Sequence, residues 1–389
     1  MGTLGTTMEG IITITDRCRA CDHCTSVCPT GAIIGVLGER HHIDYGKCIN
    51  CGQCLINCPF GAVEDLDNKT AVQNVLKDSS KYVVVQVAPA VRVALGEEFG
   101  LKAGSNVKGQ MFAALRQLGF DQVYDTEFAA DLTIMEEGTE LIHRVYGALG
   151  VEGFANDAPL PQFTSCCPAW IKYAEDKYPQ ILPHLSTAKS PQQMFGPIAK
   201  TYGAEKLNVN PQDMVVVSVM PCTAKKYENN RPEMVASGFK DVDFVITTRE
   251  LADLIKAAHI DFLLLPDEDA DRLIGSSTGD ATIFGATGGV MEAALRTAYE
   301  VLSEESLGKV EFQQVRGFSP IREASIEIPV KALGTTLPVN VCIVAGSNNA
   351  DRVIEDVLAG RSKYHFIEVM NCPGGCVNGG GQPIRRDTY

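Results

Sequence analysis

Two copies of one cysteine pattern occupy the front of the chain. Cys18-x2-Cys21-x2-Cys24-x3-Cys28-Pro29 is repeated thirty residues later as Cys48-x2-Cys51-x2-Cys54-x3-Cys58-Pro59. The flanks repeat too, Thr30-Gly-Ala-Ile33 answering Phe60-Gly-Ala-Val63, and short β-type segments at 11–15 and 42–45 lead into each run. In a chain of 389 residues with 14 cysteines, such tight C-x2-C clusters have the spacing of metal ligands and not of a disulfide framework, which implies reduced thiols.

C-x2-C pairs also build zinc sites, but two complete runs, each closed by Cys-Pro, resemble the bacterial two-cluster ferredoxins. There the fourth cysteine of each run ligates the other cluster. The resemblance implies one [4Fe–4S] cluster on Cys18, Cys21, Cys24 and Cys58 and a second on Cys48, Cys51, Cys54 and Cys28, with the domain acting as an electron wire.

The remaining chain is long enough for further domains. The formal charge of the whole chain, −14, argues against a nucleic-acid surface and fits a basic partner or simple solubility. No apolar run approaches the length of a membrane span, and residues 1–10 lack the basic and apolar regions of an export signal. The opening Met-Gly-Thr-Leu-Gly-Thr fits the loose myristoylation pattern, with nothing else in the chain to support lipidation. A cytoplasmic location is expected, with the periplasm as the alternative if a partner carries the export signal.

After the cysteine repeat (1–67), a polar segment at 68–81 reads as a linker helix. From 82 to 389 strands alternate with helices: strands at 82–88, 123–124, 214–220, 244–247 and 339–344, and helices at 108–118, 129–149, 248–258 and 289–302. This grammar predicts an α/β catalytic domain of two lobes with mostly parallel sheets flanked by helices, preceded by a small α+β ferredoxin-like domain. Ligands are expected on loops at strand ends.

Four further cysteines stand in distinctive contexts: Thr164-Ser-Cys-Cys167-Pro-Ala-Trp170, Met220-Pro-Cys222-Thr-Ala-Lys225, and the glycine-rich Cys372-Pro-Gly-Gly-Cys376. Glycine backbone can approach a bulky inorganic group closely and adopt φ > 0. Together with Ala88-Pro-Ala-Val-Arg92, Ile134-Met-Glu-Glu-Gly-Thr-Glu140, Ser190-Pro-Gln-Gln193 and the stretch from Ile283-Phe-Gly to Arg296, these segments resemble the [FeFe]-hydrogenases over essentially the whole chain.

That resemblance implies an H-cluster: a [4Fe–4S] cube on Cys167, Cys222, Cys372 and Cys376, with Cys376 bridging to a di-iron unit that carries carbon monoxide, cyanide and an azadithiolate. It implies that Lys225 and the backbone at Ala88 and Pro89 meet the cyanides, and that Met220, Met370, Phe284 and Gln192 surround the diatomic ligands. Ala224 lacks the hydroxyl that some relatives place beside one cyanide. Cys166, surplus to the cube, is assigned to proton relay, since a thiol of ordinary pKa about 8.5 can pass a proton without permanent charge. Glu137, Ser186, Glu140 and Arg144 continue the route to solvent. Cys342, alone in an apolar strand, reads as a buried small hydrophobe.

The implied activity is reversible conversion of H2 to protons and electrons, with a ferredoxin or cytochrome as redox carrier. Two other readings are a hydrogen sensor of the same fold, whose members lack the relay cysteine, and an iron–sulfur assembly factor without the di-iron unit. The sequence stops six residues after Pro383, where many single-chain relatives continue, so a separate small subunit is expected to complete the catalytic domain, the alternative being that the sequence is a truncated piece of a longer one.

Overall fold

The computed structural model describes residues 10–272, 275–305, 317 and 319–384. The myristoylation-like start and the last five residues lie outside them. The chain forms two compact units: Met1–Asp125 with Gly196–Ile274 and Val377–Tyr389, and Thr126–Phe195 with Gly275–Cys376.

The first unit begins with the cysteine repeat. Strand Ile12–Ile14 pairs antiparallel with Val63–Asp65, and Ile33–Ile34 with His42–Ile43, while the short helices His23–Val27 and Gln53–Ile56 carry the third cysteine of each run. Ile12, Ile33, Ile43, Leu55 and Val63 pack with Cys24, Cys54 and Cys58 into a small core. Too few apolar residues are available here for a large core, as expected of a module whose centre is reserved for inorganic clusters.

A four-stranded, all-parallel sheet follows in the order Gln122–Asp125, Tyr82–Val87, Met214–Met220, Phe244–Thr247. All seven residues of Met214–Met220 are buried, which explains a sequence apolar at every position but Ser218, whose hydroxyl takes the Gln86 amide at 2.8 Å. Helix Thr248–Ala257 starts at a capping box in which Thr247 and Glu250 satisfy each other's backbone N–H groups. The expected linker segment is helical over Lys69–Leu76. Asn68 ties it down, its side chain donating to the Val245 carbonyl at 2.8 Å and its N–H to Glu250 at 2.8 Å.

The second unit holds another four-stranded sheet, in the order Ile321–Val330, Thr335–Ala345, Phe366–Met370, Gln162–Phe163. The last two pairings are parallel, but the first is an antiparallel hairpin that the sequence reading did not foresee. Its strand Ile321–Val330 alternates buried and exposed positions and carries Arg322, Glu323 and Glu327, the signature of an antiparallel strand with one wet face. Helices Glu127–Ala148 and Gly289–Ser303 cover the sheet, burying Leu141, Met291, Leu295 and Phe366 among others.

Candidate active site

In the first unit the cysteines of the repeat gather into two groups. Cys18, Cys21, Cys24 and Cys58 line one cavity. Burial pushes the Cys24 thiol up to about 11, reinforced by the neighbouring thiols of Cys18, Cys21 and Cys58. The Cys54 thiol is raised well above its ordinary value, first by burial and then by Cys51, Cys48 and Cys28. The repeat is also visible in hydrogen bonds to sulfur: Ala32 N–H donates to Cys28 Sγ at 3.3 Å and Ala62 N–H to Cys58 Sγ at 3.2 Å.

The parallel strands Tyr82–Val87 and Met214–Met220 run in register, Val87 opposite Val219, so Ala88-Pro89 and Pro221-Cys222 leave the sheet at the same carboxyl edge. Ala88 N–H still bonds to the Val219 carbonyl at 3.1 Å. Cys222 and Met220 are buried. Lys225 is not a solvated surface lysine: its side chain is 12% exposed and its ammonium meets Glu228 at 2.9 Å. The glycine loop returns against this edge, Gly381 N–H bonding to Pro221 O at 2.9 Å. A Cβ on Gly381 would lie 2.7 Å from Cys222 N, so only glycine fits there.

In the second unit, Phe366–Met370 and Gln162–Phe163 are parallel neighbours. Their carboxyl ends lead into Cys372 and into Cys166-Cys167, and Thr164 links them by donating its N–H to Ile367 O at 3.0 Å and accepting Val369 N–H on its hydroxyl at 3.2 Å. Cys167 precedes helix Pro168–Lys177, with Pro168 at the first helical position. Cys166 packs against a buried apolar group containing Phe284 and Met370. Gly375 is as constrained as Gly381: its φ is +103°, and a Cβ would lie 2.5 Å from Thr287 N. Gln192 is buried, and Cys376 is half-buried.

Helix Glu127–Ala148 supplies Glu137, Glu140 and Arg144. The Glu137 carboxylate is buried and accepts Ser165 N–H at 3.3 Å. Burial pushes its pKa up to about 8, opposed by hydrogen bonds from Ser165 N–H and the Ser186 hydroxyl and assisted by Glu140 and Glu368. Ser186 Oγ donates to Glu140 Oε2 at 2.8 Å, while Glu140 Oε1 accepts from Arg144 at 2.6 Å. Glu140 and Arg144 line a cavity of about 790 Å³ together with Glu136, His143, Asp157 and Lys189.

Sequence reasoning missed Glu368. Its buried carboxylate accepts Gly288 N–H at 2.6 Å and Met291 N–H at 2.7 Å, capping helix Gly289–Ser303 from the strand that leads to Cys372. Its pKa is raised by burial and pulled back by those amides and by Arg322. The one available signal was a carboxylate inside the apolar run Phe366–Met370. Cys342, buried in its strand with a thiol pushed up to about 12 by burial, is the small hydrophobe the sequence suggested.

Residues 81–380 match the family described as iron only hydrogenase large subunit, C-terminal domain, and residues 10–59 match the 4Fe-4S dicluster domain. The chain belongs to the [FeFe]-hydrogenases. It is 51% identical over 370 residues to the periplasmic [Fe] hydrogenase large subunit of Nitratidesulfovibrio vulgaris, covering 95% of this chain and 85% of that one. It is 49% identical to the NADP-reducing hydrogenase subunit HndD of Solidesulfovibrio fructosivorans, covering 96% of this chain but only 64% of that longer relative. An [FeFe]-hydrogenase from Chlamydomonas reinhardtii superposes with a TM-score of 0.72 at 40% identity, over 83% of this chain and 86% of that one. A cytosolic iron-sulfur assembly component of Bos taurus is more distant, at 30% identity over 88% of this chain and 72% of its own length.

The residues of this hydrogenase suit iron–sulfur clusters. The donors are soft thiols, all 14 cysteines being free of disulfides. Among the described residues no three His, Cys, Asp or Glu side chains converge on a single metal ion. A cube presents each thiolate with its own iron, so its ligands surround a volume instead of meeting at a point. Ser190 Oγ and both amide atoms of Gln193 are buried without a hydrogen-bond partner, as polar groups facing a bound group would be.

Proposed function

We propose that this hydrogenase interconverts H2 with two protons and two electrons at an H-cluster held by Cys167, Cys222, Cys372 and Cys376, Cys376 being the bridge to the di-iron unit. When bound, that cluster supplies the open iron site at which H2 is polarised and split. Lys225 and the backbone at Ala88-Pro89 would hold the cyanides by hydrogen bonds, the lysine's being charge-assisted. Met220, Met370, Phe284 and Gln192 would wall off the diatomic ligands and exclude water.

Protons leave through this chain's own groups. The Cys166 thiol takes the first proton, and Glu137, held largely neutral at pH 7 by its burial, carries it onward. The Ser186 hydroxyl, which donates to Glu140 at 2.8 Å, passes it to that carboxylate at the cavity. Arg144 orients Glu140. The observation that supports this reading is the Ser186 hydroxyl donating to Glu140 at 2.8 Å, on the helix that also carries the buried Glu137 carboxylate.

Cys48, Cys51, Cys54 and Cys28 would hold one [4Fe–4S] cluster and Cys18, Cys21, Cys24 and Cys58 another, and the two would supply a path for electrons to a ferredoxin or cytochrome. The relative at 51% identity is named a large subunit and periplasmic. Both words support a small-subunit partner, and the second favours the exported alternative over the cytoplasm. The test is to mature the chain with the family's assembly enzymes, record its infrared spectrum and expose it to D2 in H2O. Carbon monoxide and cyanide bands with release of HD are expected. Iron–sulfur absorbance without those bands would move the chain to the assembly-factor reading.

A further inference from the structure

Gly52, in the second cysteine run, lies backbone to backbone against Gly380 of the glycine loop. A Cβ on Gly52 would sit 2.5 Å from Thr223 Oγ1 and 2.9 Å from Gly380 Cα; one on Gly380 would collide with the Cys51 carbonyl oxygen and sit 2.7 Å from Gly52 Cα. Two hydrogen bonds close the same contact, Thr223 Oγ1 donating to Asn50 O at 2.7 Å and Gln53 Nε2 to Asn378 O at 3.0 Å.

The cysteine repeat separates the two reasons for a glycine. Asp22 holds the equivalent place in the first run, and its φ of +65° matches the +71° of Gly52. Ala20 and Asn50 correspond in the same way, at +55° and +56°. Left-handed backbone at this point therefore tolerates a side chain, at the modest cost such conformations carry. What excludes one from position 52 is the contact with Thr223 and Gly380.

We propose that this junction fixes the gap between the second ferredoxin-type cluster and the cluster served by Cys222, making Gly52, Gly380 and Thr223 positioning residues for electron transfer. The proposal rests on the ligand sets given under the proposed function. Cys51 is bonded to Gly52 and Thr223 to Cys222, so the route from one ligand set to the other crosses a single non-bonded contact. H2 oxidation yields two protons and two electrons, and with the clusters bound this junction would set the distance over which the electrons leave, one at a time, to a one-electron carrier. A side chain at either glycine widens the gap without replacing a ligand.

The test uses matured, full-length enzyme carrying Gly52→Asn or Gly380→Ala, with Asp22→Gly as the control. Asparagine is among the residues that best tolerate φ > 0, so the first variant alters the contact and spares the turn. Both variants should keep the parent's iron content and infrared bands. They should lose dipolar coupling between the reduced second cluster and the Cys222-linked cluster in pulsed EPR, and exchange the amides of 50–53 and 379–382 faster. Turnover with methyl viologen should fall roughly tenfold or more, since an ångström of misplacement is costly where reacting groups are held in fixed geometry. Asp22→Gly, which removes the Asp22–His41 contact of the first run instead, should leave the coupling at the second cluster and the exchange of 379–382 as in the parent. Parent-like coupling and turnover in both contact variants, or equal damage in Asp22→Gly, overturns the proposal. A parent without ferredoxin-type EPR signals would instead overturn the ligand sets beneath it, a distinguishable result.

Discussion

Arg144 holds Glu140 at 2.6 Å with one nitrogen and spends its remaining contacts on backbone carbonyls: Leu185 at 2.8 Å, Pro159 at 2.9 Å, His184 at 3.2 Å and Pro183 at 3.3 Å. Guanidinium is always charged in proteins and cannot release a proton. Its place at the end of the relay is therefore that of a clamp, fixing Glu140 and two loop segments to helix Glu127–Ala148.

Arg144→Met should consequently act on stability more than on the chemistry of proton transfer. It leaves Glu140 and several carbonyls short of a donor, and breaking a buried pair in this way costs about 3–5 kcal/mol. Chemical denaturation should register that loss, and the pH optimum of the surviving activity should stay where it was. A shifted optimum with unchanged stability would show Arg144 to be part of the relay itself.

Glu137 gives a pH signature. Its pKa rises from an ordinary 4.5 to about 8 through burial. Between those values the unfolded chain has released this proton and the folded chain keeps it, so the folded state binds more protons and stability declines as pH rises. The contribution is complete below 4.5 and gone above 8. Glu137→Gln should flatten this part of the stability profile in denaturant titrations at pH 5 to 9, and should also block turnover because an amide cannot relay. An identical pH slope in parent and variant would place the titration elsewhere.

Lys226 is buried, its ammonium meeting Glu250 at 2.7 Å and Asp65 at 2.9 Å, and Arg249 adds a contact to Asp65 at 3.3 Å. Lys226→Met strands the Glu250 carboxylate without its cation and leaves Asp65 with Arg249 alone, a loss of about 3–5 kcal/mol. Asp65 closes the last strand of the ferredoxin-like module, so protease cuts near residues 67–81 should appear early in that variant. Lys331→Ala, which breaks a pair with Glu304 exposed on both sides, should leave the melting temperature unchanged.

What the sequence disclosed and what it hid follow from range. The strand Met214–Met220 was legible to the residue because one apolar run, closed by Pro221, carries its own signal. The two cysteine runs were legible because a repeat fixes their spacing. Lys225 and Lys226 look alike in sequence, and only partners about 160 residues away, Asp65 and Leu66, make the second of them the wholly buried one. Likewise Glu368 becomes a helix cap only because residues 288 and 291 fold onto its strand. Strand Ile321–Val330 was hidden because three charged residues, Arg322, Glu323 and Glu327, break up its apolar signal.

The division of labour between Cys166 and Cys167 can be tested at adjacent positions. Cys167 is proposed as a ligand, so Cys167→Ala should lose the cube and with it the di-iron bands. Cys166 packs with Phe284 and Met370 and is proposed only as a relay, so Cys166→Ala should retain every cluster and its infrared bands. Turnover should still collapse, because general acid–base steps supply roughly 10²- to 10⁴-fold and alanine carries no proton. Cys166→Asp restores a titratable group of similar reach and should recover part of the rate with a shifted pH dependence. Cys166→Ser should recover little, since a hydroxyl ionises too reluctantly. Near-parental turnover in Cys166→Ala would remove the thiol from the relay, and loss of the clusters in that variant would make it structural.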